Sequence, residues 1–563
     1  MLALSSTAAS AAAPNVVFIL ADDLGYNEMN FMNTTRGIQT PHLDAIAFDG
    51  VVLKNYYVGA ICSPTRSMLM TGRYTTRLGT HANVIYWDTP WGVPINETFV
   101  GQHFQAAGYS TALFGKWHLG MFQEKYTPKH RGFDEHAGYY QGCGSAWTHI
   151  AACCTANGLG PNEASDKDFV CKSASQYGDY RGYDWFATGA DPTAASNSKP
   201  VLGANHTNSV DLIRDAAIDF IARKATAKKP FYMYLPFQNI HGPYTTQDKF
   251  FNLYSDRTKF TDGEATMFGY ITELDDAVGT IVASLKSTGV WGNTVVVFSS
   301  DNGAPPAGMK DSVDHKRPHP GGGQGYISRN YPFRGQKTQL WEGGTRVPGF
   351  IGGGSALIPA AARGTTSEKL FHVTDWLPTL TKLATGTNPM NLAAAGPLDG
   401  LDIWAALTIK ATPSPRTEML YNVNPLCHSG QAGAPKAALR VGDYKLLAWC
   451  FKVKGINGST TTEHVKAPSG TVSPDPGFGN NDGLVLYNLA SDPTESTNIR
   501  ADPANAARVT SMLARMTVLA VEMVEPQQWD APYQGPDYFC ATCPKHPHGA
   551  GFNGPAMPWM AWL

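Results

Sequence analysis

The chain has 563 residues, 43% hydrophobic and 16% charged, with a formal net charge of −2. That length supports a large buried core and two or more domains. The near-zero charge excludes a nucleic-acid binder, because no basic field exists to hold phosphates. No apolar run reaches the ~20 residues of a membrane span, and no repeat recurs at a fixed period.

Residues 1–13 are small and weakly apolar and read as the remnant of a secretion signal, without a basic start. Residues 15–20 (NVVFIL) form an apolar, β-branched run, the pattern of a strand buried on both faces. The run ends in Asp22-Asp23. Two carboxylates at a strand's C-terminal end repel unless a cation or several donors neutralise them, and that edge of an open α/β sheet is where ligands bind. Residues 40–47 predict a helix with Thr40 as N-cap and Pro41 in its first position. Residues 51–57 predict a strand. Cys62-Ser63-Pro64-Thr65-Arg66 follows. Pro64 suits the first position of a helix, which puts Cys62 at the N-terminus, where free backbone donors favour an anion. Arg66 adds a planar fork of donors. The stretch reads either as an anion site with a reactive side chain or as a structural cysteine before a helix.

Residues 98–107 predict a helix and 110–114 a strand running into Lys116-Trp117-His118, a cation and a titrating group on one loop. Residues 142–200 are loop-rich, with four cysteines, and read as an insertion stapled by disulfides. A helix over 208–224 and a strand over 231–237 follow, the strand leading to His241. A long helix over 264–285 precedes a second apolar strand, 294–298 (TVVVF), which ends in Asp301-Asn302. If the two apolar strands are parallel neighbours, Asp22, Asp23, Asp301 and Asn302 converge, and such oxygen ligands suit Ca²⁺ or Mg²⁺ rather than zinc. Lys337 lies a few residues before Trp341-Glu342-Gly343-Gly344, and residues 372–384 predict a helix bent at Pro378. The alternation of strand and helix to about residue 410 predicts a mainly parallel sheet covered by helices. Beyond it, two strands around a Gly442-Asp443 turn, a strand over 484–489 and a helix over 501–524 predict a smaller antiparallel sheet with one helix, then a Cys-rich tail. The predicted domains are 14–410 and 411–563.

Nine cysteines occur, and removing Cys62 leaves eight, compatible with four disulfides in an oxidising compartment. Asn33, Asn96, Asn205 and Asn457 begin glycosylation sequons. Both observations point to the secretory pathway, ending outside the cell or in a lysosome-like compartment. Zinc at Cys540 and Cys543 with His546 and His548 is disfavoured, because no second CxxC accompanies the pair.

Taken together, Cys62-Ser63-Pro64-Thr65-Arg66 with Thr71-Gly72-Arg73, Ala21-Asp22-Asp23-Leu24-Gly25, Gly115-Lys116-Trp117-His118, Ser300-Asp301-Asn302-Gly303 and residues 334–344 resemble the motifs of the type I sulfatases, in particular the arylsulfatase B, I and J group. Residues 40–44, 375–380, 398–404 and 557–560 extend the resemblance over nearly the whole chain. It implies an alkaline-phosphatase-like α/β fold and a sulfuric ester hydrolase acting on aryl sulfates or a sulfated carbohydrate such as N-acetylgalactosamine 4-sulfate. It also implies that a formylglycine-generating enzyme converts Cys62 to formylglycine (3-oxoalanine). By the same resemblance Asp22, Asp23, Asp301, Asn302 and the modified Cys62 hold Ca²⁺ in preference to Mg²⁺, and Arg66 holds the formylglycine. Lys116, His118, His241 and Lys337 surround the sulfate, with Asp301 as base and His241 or Lys337 as acid. The alternatives are a phosphatase or phosphonate hydrolase of the same superfamily, and an inactive glycan-binding protein in which Cys62 stays a thiol.

Overall fold

A computed structural model describes residues 13–34, 36–85, 91–151, 182–188, 199–242, 244–305, 330–389, 396–425, 435–454, 459, 461–465, 483–524 and 526. Its main sheet contains, in chain order, β1 (Asn15–Ala21), β2 (Val51–Leu53), β3 (Ser110–Lys116), β4 (Glu135–Tyr139), β5 (Phe186–Ala187), β6 (Lys199–Pro200), β7 (Phe231–Pro236), β8 (Thr294–Ser300), β9 (Gly349–Gly353) and β10 (Thr365–Ser367). They lie side by side as β10-β2-β9-β8-β1-β7-β3-β4-β5-β6. The central five, β8-β1-β7-β3-β4, are all parallel, whereas β9 and β5 pair antiparallel with their neighbours. The sheet is therefore mixed with a parallel centre, in line with the expected mainly parallel sheet.

Both faces of the sheet are covered, which is why β1 reads as an unbroken apolar run. Val16, Phe18 and Leu20 point into one core with α2 (Cys62–Thr71), α3 (Val100–Ala106) and α6 (Trp376–Thr385). Val17, Ile19 and Ala21 point into the other, with α1 (Pro41–Phe48), α4 (Ser209–Thr226) and α5 (Asp262–Ser287). A smaller antiparallel sheet follows in the chain: β11 (Glu418–Val423), β12 (Ala437–Val441), β13 (Tyr444–Ala448) and β14 (Leu484–Asn488), in that order. One of its faces packs on α7 (Ala506–Val521) within the first core; the other packs on Tyr57, Leu340 and Trp341. Among the described residues no helix is long and apolar enough to cross a membrane.

Several local expectations need correction. Thr40 occupies the N-cap of α1 without capping it; its hydroxyl donates to Asp44 Oδ2 at 3.0 Å instead. The strand expected over 51–57 is two, since Tyr56–Tyr57 leaves the main sheet to pair with Phe371–His372. Helix α2 begins at Cys62, so Pro64 is its third residue, still within the turn whose N–H groups have no intrahelical partner. Pro378 is likewise the third residue of α6, close to its start. Of the cysteines on described residues, Cys62 is free and buried, and Cys143 and Cys450 are disulfide-bonded. The other six, with Asn457 and the CxxC, lie outside the described residues.

Candidate active site and metal centre

The C-terminal ends of the parallel strands gather the polar residues. β1 and β8 are in register through Ala21 and Ser300, so Asp22-Asp23 and Asp301-Asn302 leave the sheet level with each other. Asp301 N–H donates to Ala21 O at 3.0 Å, and Asp23 N–H to Asp301 Oδ1 at 3.1 Å. Asp23 takes a left-handed φ of 62°. β3 delivers Lys116 from the far side of β7. The chain after β7 crosses β1's end, with Asp22 N–H on Asn239 O at 2.8 Å and Ile240 N–H on Asp22 O at 2.6 Å, and brings in His241.

Helix α2 points its N-terminus at this edge, with extended Ile61 as N-cap and no side chain covering the cap. Cys62 Sγ lies 3.7 Å from Asp22 Oδ1. Arg66, one turn on and fully buried, donates to Asp301 Oδ2 from Nε at 3.1 Å and from Nη2 at 2.8 Å; Nη2 is also 3.4 Å from Asp22 Oδ2. Lys116 Nζ donates to Asp22 Oδ2 at 2.6 Å. Lys337 Nζ lies 2.6 Å from Asp23 Oδ1 and 2.8 Å from Oδ2. It is carried there by a loop that ties Lys337 N to Ala304 O and Thr338 N to Ala60 O. That loop can lie on the 301–303 turn only because Gly303 lacks a side chain: a Cβ there would stand 1.8 Å from Gly343 O. Every residue expected at the site is thus brought together. His241 Nε2 is 3.7 Å from Asp23 Oδ2, and His118 is buried beside the lysines, with no hydrogen-bond partner for Nδ1 among the described residues.

Three carboxylates and three basic side chains share this volume, and the crowding shows in the titration of the carboxylates. Burial and the neighbouring Asp301 push Asp22 up to about 7, against the pull of Lys116 and Arg66. For Asp301, burial is outweighed by Arg66, Lys116 and Lys337, which hold it far below the usual carboxylate range. Burial with Asp301 and Asp22 pushes the Cys62 thiol up to about 12, so as a thiol it is a poor nucleophile. Burial and Lys337 bring His241 down to about 3. Its Nδ1–H donates to Gly242 O at 2.6 Å, which leaves Nε2 as the acceptor.

Ligand atoms of Asp22, Asp23, Cys62 and His241 all lie within 4.8 Å of one another, a possible metal site. Asp301 stands outside that group, its carboxylate turned to Arg66, and His241 joins it, which the sequence did not indicate. Asn302 gives the test of fit. Its Nδ2 donates to Asp23 Oδ1 at 2.7 Å and Gly303 O at 2.9 Å, while the buried Oδ1 has no hydrogen-bond partner among the described residues. An orphan buried acceptor among crowded carboxylates is what a hard cation satisfies.

Sequence reasoning missed Ser63 and Asn330. Ser63 Oγ donates to His118 O at 2.8 Å and accepts from Ile85 N–H at 3.0 Å. Asn330 Oδ1 accepts from Ala304 N–H at 2.8 Å while Nδ2 donates to Gly335 O at 3.1 Å, bracing the Lys337 loop. The signal for Ser63 is its place inside the Cys62 motif; a lone Asn in a loop gives none.

The sulfatase family model matches residues 14–387. Mouse (Mus musculus) arylsulfatase J is 30% identical over 78% of this chain and 65% of its own length. Human (Homo sapiens) arylsulfatase A is 29% identical over 93% of this chain and 90% of its own. The crystal structure of Ps i-CgsB in complex with k-i-k-neocarrahexaose superposes with a TM-score of 0.67 at 23% identity, covering 92% of this chain and 95% of that one. The cysteine-headed helix, the paired strand ends and the lysine-bearing loops are therefore those of a chain that belongs to the sulfatase family of sulfuric ester hydrolases.

Proposed function

We propose that this protein hydrolyses sulfate esters, aryl sulfates in the test tube and a sulfated carbohydrate such as N-acetylgalactosamine 4-sulfate in nature, with residue 62 as formylglycine and Ca²⁺ as cofactor. The observation that carries the reading is the charge balance around Cys62. Asp22, Asp23 and Asp301 offset Arg66, Lys116 and Lys337, so a divalent cation leaves an excess of positive charge that an anionic ester neutralises.

Asp22, Asp23, Asn302 and residue 62 would hold the Ca²⁺, with Asp301 completing the set once its carboxylate turns from Arg66, and the ion would supply Lewis-acid stabilisation of sulfate oxygens. As an aldehyde, residue 62 hydrates to a diol, one hydroxyl attacking sulfur and the other later expelling sulfate, a route closed to cysteine or serine. Asp301, kept ionised by its cationic neighbours, is the base for the attacking hydroxyl, held in orientation by Arg66. Lys116 and Lys337 bind the sulfate oxygens. Lys337 is the cation available to protonate the leaving oxygen. His241 is neutral until substrate arrives, and an anion beside it raises its proton affinity. His118 accepts the proton of the second hydroxyl.

A secretory destination fits the two disulfide-bonded cysteines and the exposed Asn33, Asn96 and Asn205. Comparing kcat/KM for a nitrophenyl sulfate and the matching phosphate tests the reaction class: the sulfate is expected to be preferred, and a clear phosphate preference makes the protein a phosphatase.

A further inference from the structure

His118 stands two residues past β3, yet nothing described hydrogen-bonds its Nδ1. What fixes it comes from β4. Beyond the strands, Trp117 N–H and His118 N–H donate to Tyr139 O and Tyr140 O at 2.9 and 3.0 Å, so the ladder continues as far as the histidine. The chain then passes its own backbone across the ring: a Cβ on Gly142 would lie 2.6 Å from His118 Cε1 and 2.8 Å from Nε2. No larger residue fits there without turning the imidazole. The turn at 140–142 is itself held from behind. Tyr140 N–H and Gln141 N–H donate to Oδ1 and Oδ2 of Asp184, each at 2.9 Å. Asp184 is 2% exposed, has no cationic partner among the described residues, and is anchored by its own N–H to His149 O at 2.7 Å.

A buried carboxylate without a cation is costly, and two amide bonds offset that cost only in part. The residue type has a reason nonetheless. A carboxylate is acceptor on both oxygens and holds two amides at once, whereas an asparagine would present a donor to one of them. We propose that Asp184 is a positioning residue for the sulfatase reaction, fixing the 140–142 turn so that the Gly142 backbone sets the plane of the His118 imidazole. The proposal rests on the role given to His118 above. The segment carrying Asp184 belongs to the cysteine-rich insertion, so the described part of the insertion reaches the catalytic groups from behind.

A double-mutant cycle on kcat for an aryl sulfate tests this, because coupling through His118 is a readout that mere loss of stability does not mimic. Asp184→Asn is expected to lower kcat about tenfold with KM little changed, as a misplaced catalytic group does. In a His118→Ala background the same substitution should cost less than about twofold. Effects that multiply in the two backgrounds, or an unchanged kcat in Asp184→Asn, overturn the proposal. Full turnover by His118→Ala alone overturns the role of His118 rather than the clamp geometry. Should Asp184→Asn not fold, Gly142→Ala replaces it in the same cycle, with the same expected and contrary outcomes.

Discussion

Lys445→Met tests how the small sheet supports the loop that carries Lys337. Lys445, on β13, is fully buried with Glu342 and Glu495. Its Nζ lies 2.9 Å from Glu342 Oε1 and 2.8 Å from Glu495 Oε1. Glu342 also accepts from Tyr57 OH at 2.6 Å and Tyr421 OH at 2.9 Å, and its own N–H donates to Glu495 Oε2 at 2.7 Å. Burial raises the Glu342 carboxyl, but Lys445, Arg346 and Arg440 outweigh it and hold the group at about 2. Glu495 is pushed up to about 7 by burial, with Glu342 adding to the rise and Lys445 opposing it. Methionine keeps the volume and removes the charge. Breaking one partner of a buried ion pair costs about 3–5 kcal/mol. Arg346, 3.5 Å from Glu342 Oε2, remains, which puts the expected loss near the lower end, about 3 kcal/mol. The pH dependence has a definite sign. In the parent, the depressed Glu342 contributes stability above its ordinary 4.5 that is lost as pH falls toward about 2. In the variant a carboxylate left without its lysine takes up a proton, so the deficit shrinks as pH falls from about 8 to about 5, by up to ~1.4 kcal/mol per unit. Urea unfolding followed by tryptophan fluorescence measures it. A deficit below about 1 kcal/mol at pH 8, or one independent of pH, refutes the reasoning.

Removing divalent cations with EGTA should lower both thermal stability and activity, because Asp22, Asp23 and Asp301 lose the charge that lets them crowd. Ca²⁺ is expected to restore both more fully than Mg²⁺; a thermal transition indifferent to EGTA and to added Ca²⁺ contradicts the metal assignment. Lys337→Ala removes a cation 2.6 Å from Asp23 and is expected to lower kcat/KM by about 10²–10³-fold with the fold retained by circular dichroism, the scale seen when one stabilising donor is lost. A loss under about fivefold would remove Lys337 from the reaction.

The elements legible in the sequence were those whose signal is local. The unbroken apolar runs at β1 and β8 announced buried strands, and the carboxylates at their ends announced a site, because strand ends and ligand edges coincide in such sheets. Convergence of Lys116, His241 and Lys337 was legible only through the family resemblance, since nothing local says which strands are neighbours. Three features lay beyond reach. The choice of Asp301 as Arg66's partner and of His241 as neighbour to Asp22 and Asp23 depends on side-chain directions that no local pattern encodes. Residues 51–57 read as one strand because both halves are apolar, and only pairing with Phe371–His372 separates them. The Asp184 clamp joins residues about 44 apart in sequence, a separation at which an isolated aspartate in a loop carries no pattern.

The central claim is that Cys62 works only after it stops being a cysteine. Mass spectrometry of the tryptic peptide containing residue 62, on the same preparation whose aryl sulfate turnover is measured, tests it most directly. The expected result is a fraction of aldehyde at residue 62 that scales with specific activity across preparations, with Cys62→Ala folded and inactive. Full activity from protein in which every copy carries an unmodified Cys62 thiol would contradict the account.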